Sequence, residues 1–110
     1  MVEYPVQTIA NPDVEEDLDV DVDTTHESMW RVLIHNDNIT TFEFVIRILQ
    51  TIFGRNIMAA EQIAWRTHTR GIAYVGSYPK SHAESRVHKA HFAAQLEGFP
   101  LRLTIEPEEI

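Results

Sequence analysis

The run His35-Asn36-Asp37-Asn38 places four hydrogen-bonding side chains between two apolar stretches, residues 29–34 and 44–53. It holds no glycine, so it is not a loop that cradles phosphate. Asn and Asp oxygens and a neutral imidazole all accept hydrogen bonds. His68 adds an acceptor at the end of a later amphipathic segment. The apolar companions of this set are Ile39, Phe42, Val45, Ile46, Ala64 and Leu101, with Thr40 and Thr67 among them. Acceptors at the mouth of an apolar pocket suit a ligand with an ammonium beside a greasy side chain. Asn36 and Asp37 are also ordinary turn residues, and on residue types alone that plainer reading prevails.

Other chemistries fit less well. Six histidines raise the question of a metal. Zinc needs three or four converging ligands, commonly including Cys or an acid. The chain has no cysteine, and His82 and His88 do not share a helical face. His91 lies near the apolar stripe of Val87, Ala90 and Ala94, and Glu84 has a capping position. We expect no metal and no other cofactor. Ser77 and Ser81 lack the strained Gly-x-Ser-x-Gly elbow of a hydrolase. Asp37 and His68 have no nucleophile to serve, so an enzyme is not expected.

Charge separates the chain into two parts. Residues 1–28 carry nine acids and no Lys or Arg, whereas the rest carries eight acids against nine bases. Charge this dense repels itself and recovers little ordering entropy by burial, so a disordered acidic tail is expected over 1–28, with a single domain over 29–110. That tail is either solubilising or an interaction segment. The nearly neutral body has no basic face for nucleic acid. No apolar run approaches the roughly 18 residues of a membrane span, and no secretion signal is evident, so a cytoplasmic protein is expected.

The elements that would position the acceptors follow from periodicity. Trp30, Val32 and Ile34 alternate with Arg31, Leu33 and His35, which predicts a strand. Thr40 and Glu43 have capping-box spacing ahead of a broadly apolar helix that Gly54 stops. Asn56 and Gly71 bracket a second helix. "IAYVGSY" predicts a strand. Ser81 and Glu84 then repeat the capping-box spacing before a helix over 82–97, and "LRLTIE" closes as a strand. The order β-α-α-β-α-β predicts an α+β fold, a three-stranded antiparallel sheet with three helices on one face.

"WRVLIHNDNITTFEFVIRILQTIFG", "AAEQIAWRTHTRGIAYVG", "AESRVHKAHF" and "FPLRLTIE" together resemble ClpS, the adaptor family of the bacterial Clp protease, over roughly residues 29–106. The resemblance implies the same β-α-α-β-α-β fold. It implies recognition of substrate proteins by a free N-terminal amine and a bulky hydrophobic first residue, and delivery to the AAA+ unfoldase of the Clp protease. Asn36 and His68 match the amine-holding positions, with Asp37 and Asn38 in the family's acidic pair and Thr40 at its threonine. Val45, Ile46 and Leu101 match pocket positions. Glu84 and Arg86 fall on the stretch resembling the unfoldase-facing surface. The tail corresponds to a flexible extension that helps hand-over, and a monomer is expected.

Several positions depart from the family pattern. Asn38 stands for an acid, Thr41 for Pro, Phe42 for the Met at the pocket mouth, Ala64 for a Met of the pocket wall and Ser81 for a surface Glu. The first removes a charge facing the amine. Phe42 and Ala64 together crowd the mouth and enlarge the interior, which favours an aromatic first residue over Leu and excludes Ile and Val.

Overall fold

Strand alternation decides the sheet. A computed structural model describes residues 27–109; the acidic segment before them, with its expected disorder, lies outside the described residues. Strand β1 (Met29–His35) turns Val32 and Ile34, both without exposed surface, to the helices. Strand β2 (Ile72–Pro79) and strand β3 (Arg102–Pro107) flank it, both antiparallel, in the order β2-β1-β3. With helices α1 (Phe42–Thr51), α2 (Ile57–Arg70) and α3 (Lys80–Leu96), the order is the expected β-α-α-β-α-β.

A bulge interrupts β2. Val32 pairs with Gly76 but Leu33 pairs with Tyr74, which leaves Val75 as the extra residue. A Cβ on Gly76 would lie 3.0 Å from the Tyr78 hydroxyl and 3.3 Å from its ring, so the ring occupies the space that only glycine leaves. The Tyr78 hydroxyl donates to the Phe53 carbonyl at 3.1 Å, and the Arg86 guanidinium stacks 5.0 Å above its ring.

The core joins Phe44, Val45, Ile48 and Leu49 of α1 to Ala60, Ile63 and Ala64 of α2 and to Ala83, Ala90 and Ala94 of α3. Three alanines let α3 lie close against the sheet. Asn56 caps α2 by accepting from the Ala59 N–H, and Gly71 ends it at φ 88°, both as the sequence suggests.

Helix starts differ from expectation at two places. The N-cap of α1 is Thr41, whose hydroxyl accepts from the Phe44 N–H at 3.1 Å, and not Thr40. The Thr40 hydroxyl is already engaged, donating to Asp37 Oδ2 at 2.7 Å. Helix α3 begins at Lys80, directly after Pro79, with no side-chain cap of its own. The Ser81 N–H donates to Glu27 Oε1 at 2.7 Å and the Ser81 hydroxyl to Oε2 at 3.0 Å. The Ser81 N–H is the chief reason the Glu27 carboxyl titrates below its ordinary value. Helix α1 runs to Thr51, and Gly54, at φ 70°, stops it as expected, with the Arg55 N–H closing back on the Leu49 carbonyl at 2.9 Å.

Candidate functional site

Strand pairing brings the acceptors together. His35 at the end of β1 pairs with Ile72 at the start of β2, so the residues after one strand meet the residues before the other. The Asn36 N–H donates to the Gly71 carbonyl at 2.9 Å, which ties the loop after β1 to the C-terminal end of α2. Asn36 and His68 thereby come to face one cleft although nearly two helices separate them in sequence.

Asp37 shapes that loop. Its Oδ1 accepts from the Ile39 N–H at 2.8 Å and the Thr40 N–H at 2.7 Å, while Oδ2 takes the Thr40 hydroxyl. Desolvation raises the titration point of this carboxyl, but the hydrogen bonds from Thr40 and Ile39 together outweigh it and hold Asp37 below its ordinary value. The negative charge therefore persists at neutral pH. Three of roughly four lone-pair sites are filled, so the carboxylate can accept about one further donor. Asn36 and His68 engage no side-chain hydrogen bond with another described residue.

The resulting cleft encloses about 490 Å3 and is lined by Asn36, Asp37, Asn38, Thr40, Phe42, Val45, Ala64, Trp65, Thr67 and His68. Polar groups line one part, and Phe42, Val45 and Ala64 supply an apolar part. Thr67 is buried, but its hydroxyl donates to the Ile63 carbonyl at 2.8 Å, so it offers the cleft its methyl without an unsatisfied polar atom.

Three further residues are expected in the pocket from the sequence. Ile39 is largely exposed on the loop, Ile46 is half-buried against the core, and Leu101 is buried ahead of β3. None of them lines the cleft. Trp65 does line it and escaped the sequence reading. Its signal was its place, one residue after Ala64 and three before His68, the spacing of side chains that touch along a helix. The Trp65 and His68 rings lie 6.0 Å apart, tilted by 41°.

The α3 surface also differs in part from expectation. Glu84 is exposed and lies with Glu27, Ser28, Lys80 and Ser81 around a shallow depression. Arg86 instead folds inward. It donates to the Ile52 carbonyl at 2.7 Å, beyond the end of α1, and stacks on Tyr78, so it is not presented as an outward contact. Among the histidines considered as metal ligands, His91 accepts through Nε2 from the Leu103 N–H at 3.0 Å, on the outer edge of β3. Among the described residues no three of His, Asp and Glu converge as a metal would require.

A helix-covered three-stranded sheet with an acceptor-lined apolar cleft at one end defines a small α+β ligand-binding domain. Comparison with known proteins narrows the class. A family profile described as "ATP-dependent Clp protease adaptor protein ClpS" matches residues 25–104. The ClpS adapter of Desulfatibacillum aliphaticivorans is 40% identical over 103 residues, covering 89% of this chain and 99% of the relative. That of Lawsonia intracellularis is 44% identical over 78 residues, covering 71% of this chain and 72% of the relative. The structure of Agrobacterium tumefaciens ClpS2 bound to L-phenylalaninamide superposes with a TM-score of 0.71 at 29% identity, covering 76% of this chain and all of that one. The chain belongs to the ClpS family of Clp protease adaptors.

Proposed function

We propose that the cleft holds the free N-terminus of a substrate protein, which the chain then delivers to the AAA+ unfoldase of the Clp protease. The α-ammonium sits among Asn36, Asp37, Asn38 and His68, and the first side chain enters the space between Phe42, Val45, Ala64 and Thr67. The observation that carries this reading is the meeting of those acceptors and that apolar wall in one cleft. The relative that binds an amide of phenylalanine supports it, because that ligand carries an ammonium two carbons from an aromatic ring. An internal peptide segment has an amide N–H in place of the ammonium and leaves the acceptors without a charge to bind. The chain works by binding and hand-over, with no bond made or broken in the cleft.

For hand-over we assign the exposed surface around Glu84 and Lys80 to the unfoldase, and leave Arg86 out because it is engaged inside the fold. Residues 1–28 form the extension and 29–110 the body. Glu27 holds the root of the extension against the start of α3, so extension and unfoldase contact leave from one face. The adaptor acts as a cytoplasmic monomer. Among the described residues no helix is long and apolar enough to cross a membrane.

The test is a panel of labelled peptides differing only in the first residue, read by fluorescence anisotropy. Peptides beginning with Phe, Tyr, Trp or Leu bind. Acetylating the amine removes a charged hydrogen bond of about 1.5–3 kcal/mol, so affinity falls by roughly tenfold or more. Equal binding of acetylated and free peptides refutes the assignment.

A further inference from the structure

Trp65 lines the cleft but holds neither the amine nor the first side chain. It forms part of the cleft wall, yet 60% of its surface is exposed. Ala64 and Thr67, its neighbours on α2, are buried against the cleft floor. His68, one turn further on, meets the indole at 6.0 Å. An exposed indole keeps a large apolar face in water, a cost that a contacting ligand group relieves.

We infer that Trp65 is a specificity-determining residue that reads the second residue of the bound N-terminus and favours a large aromatic or aliphatic side chain there. This inference rests on the reading of the cleft as an N-terminus site. With the amine at Asn36, Asp37 and His68 and the first side chain toward Val45 and Ala64, the ligand backbone must leave over the rim. Consecutive Cα atoms lie about 3.8 Å apart, and successive side chains of an extended chain point to opposite sides. The second side chain therefore emerges about one residue from the amine, away from the pocket. The exposed indole lines the cleft in ring contact with the histidine beside the amine. Exposed Ile39 and the partly exposed Phe42 lie on the neighbouring loop and helix start, so the surroundings are apolar as well. The charge on Asp37 in the same cleft disfavours an acidic second residue.

The test uses the full chain and four labelled peptides, beginning Phe-Phe, Phe-Leu, Phe-Gly and Phe-Asp. Each is measured with a free and an acetylated amine. The intact protein prefers Phe-Phe over Phe-Gly by about two- to tenfold, the range of one aromatic contact. In Trp65→Ala that ratio collapses to unity, and in Trp65→Phe it is largely retained. A second readout uses Trp30→Phe, which leaves Trp65 as the sole tryptophan. Its emission shifts to the blue with the Phe-Phe peptide and stays in place with L-phenylalaninamide, which has no second residue. A ratio near unity in the intact protein overturns the inference, as does a ratio that survives Trp65→Ala. Equal weakening of all four peptides by Trp65→Ala also overturns it, since the indole would then only position His68. In each of these cases the cleft reading stands as long as acetylation prevents binding. Acetylated peptides that bind as well as free ones remove both.

Discussion

Replacing Asp37 separates two tasks that one carboxylate performs. It holds the loop by three hydrogen bonds, and it supplies negative charge to the cleft. In Asp37→Asn the remaining carbonyl oxygen still accepts from the Ile39 and Thr40 N–H groups. The new amide nitrogen faces the Thr40 hydroxyl, which turns to accept. The loop survives and the charge is gone. Asp37→Ala loses all three bonds. At about 0.5–1.5 kcal/mol net per bond, with Ile39 open to water, Ala costs about 1.5–3 kcal/mol, whereas Asn costs less than about 1. With a urea slope of about 1–3 kcal/mol per molar, Ala lowers the unfolding midpoint by about 1 M. The unfolded carboxyl titrates near about 3.9 and the folded one lower, so this stabilisation is complete above that value and is lost as pH falls through the folded value. Affinity for a Phe-initiated peptide behaves differently. Both variants lose one charged contact, about 1.5–3 kcal/mol, or roughly ten- to 150-fold. Chemical denaturation reads the first effect and anisotropy the second. Asp37→Ala as stable as Asp37→Asn refutes the loop argument, and Asp37→Asn binding as tightly as the parent refutes the charge argument.

Three other perturbations test the fold and the pocket. Burial lowers the titration points of His35 and His91, with smaller contributions from the Arg102 and His88 charges respectively. Both folded values lie below the unfolded value of about 6.5, so their stabilisation is complete above it and is lost as pH falls through the folded values. The urea midpoint drops between about pH 7.5 and about pH 5.5, His91→Gln makes that drop smaller, and a flat parent profile contradicts it. Gly76→Ala forces the Tyr78 ring off its bond to the Phe53 carbonyl and costs about 1–3 kcal/mol, read by thermal unfolding; an unchanged midpoint contradicts the close approach. The methyl of Ala64 leaves room for a flat ring, so Phe-, Tyr- and Trp-initiated peptides outbind Leu by about 1 kcal/mol, with Ile and Val excluded, and Ala64→Met narrows the gap. Leu binding at least as tightly as all three aromatics refutes that volume argument.

The element order was legible because alternation in 30–35 and the brackets Asn56 and Gly71 are local signals. What failed locally was decided by distant partners. Two adjacent threonines offered themselves as the α1 cap, and the Asp37 carboxylate captured one of them. The start of α3 is satisfied by Glu27, 54 residues earlier, so its own Ser81–Glu84 spacing is not used as a capping box. Arg86 reads as a surface cation until the Ile52 carbonyl and the Tyr78 ring are seen beneath it.

The site was half legible for the same reason. Hydrogen-bonding residue types marked 36–38 as special, but only the pairing of His35 with Ile72 explains why His68 belongs with them. Residue type could not separate Ile46 and Leu101, which pack with the core and do not line the cleft, from Val45 and Ala64, which do both. That distinction depends on the tertiary packing around each side chain. Trp65 went unnoticed because a tryptophan on a helix is more often core, and its exposure exists only in the folded chain.

The most direct measurement is a crystal structure of this chain with a Phe-initiated peptide. The account predicts the α-ammonium within about 2.7–3.2 Å of acceptors on Asn36, Asp37 and His68. It predicts the first ring against Val45, Ala64 and Thr67. A peptide seated elsewhere on the molecule, or one entering the cleft with its amine turned to solvent, contradicts it.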